Sequence, residues 1–420
     1  MADRTSHALR GYLWLSQLIP LVAPTLLHRR VMLGKELPGR MAEKIGVAGQ
    51  SRPAGRLVWL NAVGLGEVLA LRGLIAAMAA QDAGLEFLVT STARSSAQVL
   101  AANLPENTRH QFLPLDAPQY LTQFLDHWRP SLSVWAEQDL WPGAVVAAAR
   151  RGIPLAMVNA RMGPEGYARR ARMRGLFGDL FGRFTLVCAQ DAATAERLTA
   201  LGARGVRVTG SLKPSAPVLA FDPKILGEAQ TKVAGRRVWV AASTHAGDER
   251  EAIAAQAALY ADDPAWLLIL VPRVIDRAEA VAQALRRAGL GHARRSHGGW
   301  PEAADSVWLA DSFGELGLWY RLTDQALVGG GFDVVGGHNP WEAAALGTAV
   351  YHGQDVRNFA ADYQMLDTAG AAKVVKIGEL AKALRDDPTE MVSAGRRLVT
   401  VERLALDPLA AELLGLMSRP

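Results

Sequence analysis

Short apolar runs alternate with stretches of helical periodicity along most of this chain. In the first half the runs cover residues 57–63, 86–91, 132–136, 154–159, 185–189 and 206–210, and the spacing predicts helices over 67–80, 95–104 and 145–151. Runs of four to seven residues, apolar throughout rather than alternating, are the mark of strands buried on both faces. Strand and helix in strict alternation predict a parallel, doubly wound sheet. The rhythm breaks at the Pro-containing stretch 214–223 and restarts with strands expected at 238–242, 266–271, 307–309, 325–328, 349–352 and 372–375. From Glu379 onward the pattern is mainly helical. The fold class is therefore α/β, with two Rossmann-like halves. The expected boundaries are 1–34 for an N-terminal apolar segment, 35–215 for the first half and 216–420 for the second.

The first 34 residues depart from this rhythm. Between Gly11 and Leu27 there is no charged side chain, and His28, Arg29, Arg30, Lys35, Arg40 and Lys44 follow. A straight helix needs roughly 18 to 20 apolar residues to span a bilayer, and this run falls just short. Pro20 and Pro24 would kink it, and Tyr12 and Trp14 suit an interfacial depth. No small-residue cleavage site follows, as a signal peptide requires. Two readings stand: a membrane anchor or interfacial helix on an anionic surface, and an apolar helix packed on its own domain. If the segment spans, the basic cluster places the body in the cytoplasm.

Composition narrows the function classes. The chain has 420 residues, enough for two large domains, and half of them are hydrophobic. The single cysteine, Cys188, sits in an apolar run, which excludes an intramolecular disulfide and a thiolate metal cluster. The formal charge of +5 suits anionic partners. Without zinc-finger spacing, aromatic RNA-binding motifs or a base-reading basic helix, nucleic acid is not expected.

In open parallel sheets, ligands bind beyond the carboxyl ends of the strands, so motifs there carry the functional weight. After the first strand, Gly64 and Gly66 allow a tight turn into a helix whose first turn holds Glu67. Glu67 is either a charge stabilised by the helix N-terminus or a general base for an acceptor hydroxyl. Glu137 and Asp139 end another strand, Arg161 the next, and Lys213 the last of this half. In the second half, Ser243 and Thr244 precede a helix beginning Asp248-Glu249. They are a helix cap or a phosphate holder. Pro272-Arg273 ends a strand, and an arginine there suits phosphate or carboxylate. Phe313-Gly314-Glu315-Leu316 turns into a helix. Gly336-Gly337-His338-Asn339-Pro340-Trp341-Glu342 combines exposed backbone donors with a helix N-terminus, a ready anion site. Glu342 is placed to accept from ribose hydroxyls. His338 lacks companions at ligand spacing, so it suits ligand contact or loop structure rather than a metal.

In order and spacing, these motifs resemble the bacterial 3-deoxy-D-manno-octulosonic acid (Kdo) transferases along nearly the whole chain. Asn159-Ala160-Arg161, Thr209-Gly210-Ser211-Leu212-Lys213, Ser243-Thr244-His245-Ala246-Gly247 and Val271-Pro272-Arg273 belong to the match. The resemblance implies a GT-B fold, two domains facing across a cleft. It implies transfer from CMP-Kdo to a lipid A precursor at the cytoplasmic face of the inner membrane, with inversion and with no cofactor or metal. Glu67 corresponds to the general base, and Glu137 and Lys213 to transition-state stabilisers, with Asp139 a competing acid. Gly64, Gly66, Asp139 and Arg161 fall on the acceptor side. The CMP site takes in Ser243, Thr244, Pro272, Arg273, the 313–316 turn, Gly336, Gly337, His338, Asn339 and Glu342. The chain departs from the family pattern at Asn61, Gly64, Leu65, Gln138, Asp139, Ser211 and Val274-Ile275. A non-catalytic paralogue and another GT-B envelope glycosyltransferase are the alternatives.

Overall fold

The computed structural model describes residues 5–94, 97, 104–137 and 139–418. Two compact units emerge: Met1–Ala216 together with Arg403–Pro420, and Pro217–Glu402. The second half, expected to run to residue 420, thus ends at Glu402, and the last stretch returns to the first unit.

Each unit is built on one seven-stranded parallel sheet. In the first the strands are β1 (Arg56–Asn61), β2 (Leu85–Ser91), β3 (Thr108–Phe112), β4 (Leu132–Ala136), β5 (Leu155–Ala160), β6 (Leu186–Ala189) and β7 (Val206–Val208), in the order β3-β2-β1-β4-β5-β6-β7. The order reverses between β1 and β4, and a crevice opens at such a switch point. The second sheet holds β8 (Arg237–Thr244), β9 (Trp266–Pro272), β10 (His292–Arg294), β11 (Val307–Leu309), β12 (Gln325–Val328), β13 (Ala349–His352) and β14 (Ala372–Val374), in the order β10-β11-β9-β8-β12-β13-β14. Its switch point lies between β8 and β12.

The central strands are buried along their whole length, as their unbroken apolar runs require. On one face of the first sheet Trp59, Trp135 and Phe124 meet edge to face, with ring centroids 5.1 and 5.6 Å apart. The other face is covered by the helix Leu65–Gln81, and onto the same core pack Leu406, Leu409 and Leu413 of the C-terminal helix Leu406–Met417. Pairing of β5 with β6 and of β8 with β9 shifts register near the carboxyl end, at Met157–Ala160 and Ala242–Thr244. Such bulges re-aim side chains at a strand end.

Two expectations change. The apolar run 11–27 is divided by a turn at Gln17–Leu18 into helices His7–Ser16 and Ile19–Met32. The first is docked: Leu9 is fully buried, and the Tyr12 hydroxyl donates to Asp116 at 2.7 Å. Asp116 in turn accepts from the Gly143 and Ala144 N–H groups, tying this helix to the start of another, Pro142–Arg150. Among the described residues, no helix is long and apolar enough to cross a membrane. The edge strands β3 and β10 had not been expected, because Thr-Arg-His-Gln-Phe and His-Ala-Arg contain no apolar run. The helix expected at 95–104 falls mostly outside the described residues, as does Gln138.

Leu413→Ala opens a cavity in the first unit and is expected to destabilise it by about 2–5 kcal/mol. The readout is faster amide exchange in Leu65–Gln81 with exchange in β8 unchanged. Equal acceleration in both units would contradict the assignment of the C-terminal helix.

Candidate active site

At the first switch point, β1 delivers Glu67 and β4 delivers Glu137. Glu67 stands in the first turn of the helix Leu65–Gln81 and folds back over its start. Its Oε2 accepts from the Val63 and Gly64 N–H groups at 2.9 and 2.6 Å. The helix-cap reading of Glu67 is therefore realised, and both bonds fall on one oxygen. A side chain at position 64 would press on this carboxylate, since a Cβ there lies 3.1 Å from Oε1.

Glu137 has φ 62°, a left-handed conformation that L-residues seldom adopt outside turns and functional sites. Its N–H donates to the Val158 carbonyl at 2.9 Å. Burial, then the charge of Glu67, pushes its carboxyl up to about 7; Asp139 adds to the rise, while Lys213 and Arg161 oppose it. Glu137 is thus electrostatically joined to Asp139, Arg161 and Lys213 at the neighbouring strand ends, and to Glu67 as well. Asp139 is the outlying member, largely exposed and 3.6 Å from Arg170. Arg170 is buried, and its helical segment gave no motif to find it by. Lys213 follows β7 in a short turn where its N–H donates to Ser211 Oγ at 3.2 Å.

The second unit has a cavity of about 290 Å³ at the carboxyl ends of β8, β9 and β12. Ser243, Pro272, Arg273, Phe313, Gly314, Glu315, Leu316, His338, Asn339 and Glu342 line it, as do their motif neighbours Val271 and Ser312, and Ile275 and Phe359, which belonged to no motif. Ser243 is left-handed, with φ 53°. Thr244 is not at the wall: it is fully buried beneath it. Neither residue caps the next helix. His245 holds that place, and Asp248 accepts its N–H at 2.9 Å. Asp248 also accepts from Gly330 and Phe332, at 2.7 and 3.1 Å, so one buried carboxylate joins β8 to the glycine loop after β12.

Gly336 and Gly337, with φ 95° and 79°, stand behind the wall and shape it. Both donate to the Gly330 carbonyl, and His338 donates to that of Gly329. The imidazoles of His338 and His245 lie parallel, their Nε2 atoms 2.9 Å apart. Burial, then His245 and Arg273, holds His338 down at about 4, against the pull of Asp248. Burial raises Glu342, while a hydrogen bond from Asn339 and the charge of Arg273 restrain it. For Glu315 the balance is reversed. Burial is outweighed by hydrogen bonds from Arg295 and the Ser312 hydroxyl, and the carboxyl is held low. The pocket thus presents Arg273, neutral imidazole and backbone turns to a ligand. That combination suits an anion joined to a polar ring system. Among the described residues, no group of three or more His, Cys, Asp or Glu side chains could hold a metal ion.

Residues 39–216 match the family model for 3-deoxy-D-manno-octulosonic-acid transferase. The chain is 33% identical to the 3-deoxy-D-manno-octulosonic acid transferase of Bordetella pertussis over 87% of its length and 86% of that protein's. It is 30% identical to the Haemophilus influenzae enzyme of the same name, over 82% and 81%. Among solved structures, a glycosyltransferase from Rickettsia africae shares the fold at a TM-score of 0.58, with 11% identity over 88% of this chain and all of that one. A Neisseria meningitidis UDP-GlcNAc 2-epimerase does so at 0.55, with 11% identity over 86% and 99%. With relatives this similar along most of its length, the chain belongs to the 3-deoxy-D-manno-octulosonic acid transferases, a family of glycosyltransferases.

Proposed function

We propose that the protein transfers Kdo from CMP-Kdo to a lipid A precursor, inverting the anomeric carbon, with Glu67 as general base. The observation that carries this reading is the pairing of Glu67 with Glu137 at the switch point of the first sheet. The second sheet supplies a cavity lined by Arg273, His338 and Glu342. Glu67 takes the acceptor hydroxyl proton through Oε1, its other oxygen being tied to backbone. The acceptor oxygen bonds to the anomeric carbon as the bond to the CMP phosphate breaks, and CMP leaves carrying the electron pair. Arg273 meets the charge developing on the phosphate. The Glu137 carboxylate faces the positive charge growing at the anomeric carbon, and Lys213 favours its ionised form against burial and the charge of Glu67.

A lipid acceptor calls for a membrane surface. Trp14, Leu18, Leu21, Val22, Leu26 and Met32 are exposed, beside His28, Arg29, Arg30 and Lys35. The helix Ile19–Met32, 14 residues long, reaches about 21 Å, short of a hydrocarbon core of about 30 Å. The reading we favour is an interfacial helix on the cytoplasmic face of the inner membrane, its basic residues toward anionic lipid.

Glu67→Gln is expected to lower kcat about 10²–10⁴-fold and to leave CMP affinity within about twofold; parental turnover would remove Glu67 from the base role. Glu137 has a folded-state pKa above its ordinary value, so its contribution to stability is greatest in acid and is lost as pH rises through about 7. Glu137→Gln should therefore raise Tm at about pH 8, with the gain vanishing near about pH 5; a gain independent of pH would contradict this assignment. Leu21→Asp with Val22→Asp is expected to weaken binding to phosphatidylglycerol vesicles about tenfold or more without lowering Tm. Unchanged vesicle binding would exclude this helix as the membrane contact.

A further inference from the structure

Asn159 lies one covalent step from the anchors of two proposed catalytic groups. It is buried near the end of β5 and is left-handed, with φ 56°. Its Oδ1 accepts from the N–H of Leu212 at 3.0 Å, the residue before Lys213. The carbonyl of the preceding residue, Val158, accepts from the N–H of Glu137 at 2.9 Å. Its own carbonyl accepts from Gln190 Nε2 at 2.9 Å, which fixes the bulge where β5 and β6 lose register.

We propose that Asn159 is a positioning residue for transfer, holding Lys213 in register with Glu137. This rests on the roles given above to those two residues. Few side chains meet both requirements of the position. The backbone needs a residue that tolerates the left-handed region, which β-branched and bulky residues do not. The turn before Lys213 needs a buried acceptor for the Leu212 N–H, since an unmade bond there costs about 1–3 kcal/mol. Asparagine supplies both. The turn has a second tie in Ser211, whose hydroxyl accepts from the Lys213 N–H. Lys213 in turn lowers the carboxyl of Glu137, so any slip of the turn is felt at the carboxylate.

The test uses the full chain with CMP-Kdo and a tetra-acylated disaccharide acceptor. Asn159→Gly removes the acceptor oxygen, and glycine adopts the same φ without strain, so the fold is retained. It is expected to lower kcat about 10–100-fold, the scale of a small misplacement, with KM values within about threefold. The acid limb of the pH–rate profile should move to higher pH, as less of the Lys213 charge reaches Glu137. Combined with Lys213→Met, Asn159→Gly should cause no further loss, because both act through one group. Ser211→Ala, in a half-buried turn, should give a smaller drop in kcat with the same direction of pH shift.

An additive double variant, or pH profiles unmoved in both Asn159→Gly and Ser211→Ala, would overturn the proposal. Parental kcat in Asn159→Gly beside a crippled Lys213→Met would sink the positioning role alone. Parental kcat in Lys213→Met would remove the role of Lys213 and this proposal with it.

Discussion

Two like charges held at one crevice set the terms for the first unit. Strand order places β1 beside β4, so the segments leaving them bring Glu67 and Glu137 together. A chain free to relax would separate two carboxylates. Here each is fixed by backbone: Glu67 by two N–H groups at its helix start, Glu137 by the Val158 carbonyl and a left-handed φ. The surrounding cations temper the repulsion without cancelling it, and Glu137 stays high. An incompletely neutralised carboxylate is a reactive one, and such environments concentrate at active sites.

The second unit resolves its charges the other way. Asp248 is saturated by three backbone N–H groups and has become part of the scaffold. Glu315 is consumed by Arg295 and Ser312. Arg273 and His338, backed by the imidazole of His245, remain at the cavity. Gly331 and Gly353 approach so closely that a Cβ on either would collide with the other's backbone, and this contact draws β12 and β13 together beside the glycine loop. One unit leaves a carboxylate incompletely neutralised and the other leaves an arginine at its cavity, although both grow from the same parallel-sheet plan.

Much of this was legible in the sequence. Central strands of parallel sheets are buried on both faces, and 12 of the 14 strands among the described residues carried runs that revealed them. The strands at β3 and β10 were hidden because an edge strand has one neighbour and no apolar requirement along its length. The side chains at the crevice and at the cavity were singled out by their position at strand ends. Thr244 was misplaced because alternation along β8 turns its hydroxyl inward, next to a Ser243 that a bulge turns outward. Ile275 and Phe359 could not be found from motifs, since apolar walls of a cavity have the same composition as core. The apolar run 11–27 looked like one segment because hydropathy does not record the turn at Gln17–Leu18 or the Tyr12–Asp116 bond that draws its first part onto the protein.

The C-terminal helix has a consequence for how the molecule comes into being. Leu406, Leu409 and Leu413 complete the core beneath the helix that carries Glu67, yet the ribosome makes them after every residue of the second unit. Domains commonly fold in the order in which they emerge. In this chain the earlier-made unit waits, with an apolar face uncovered, while its successor is synthesised whole. The unit that carries Glu67 and Glu137 is therefore finished last, and a nascent chain cut short before Leu406 has a complete second unit and an unsealed first one.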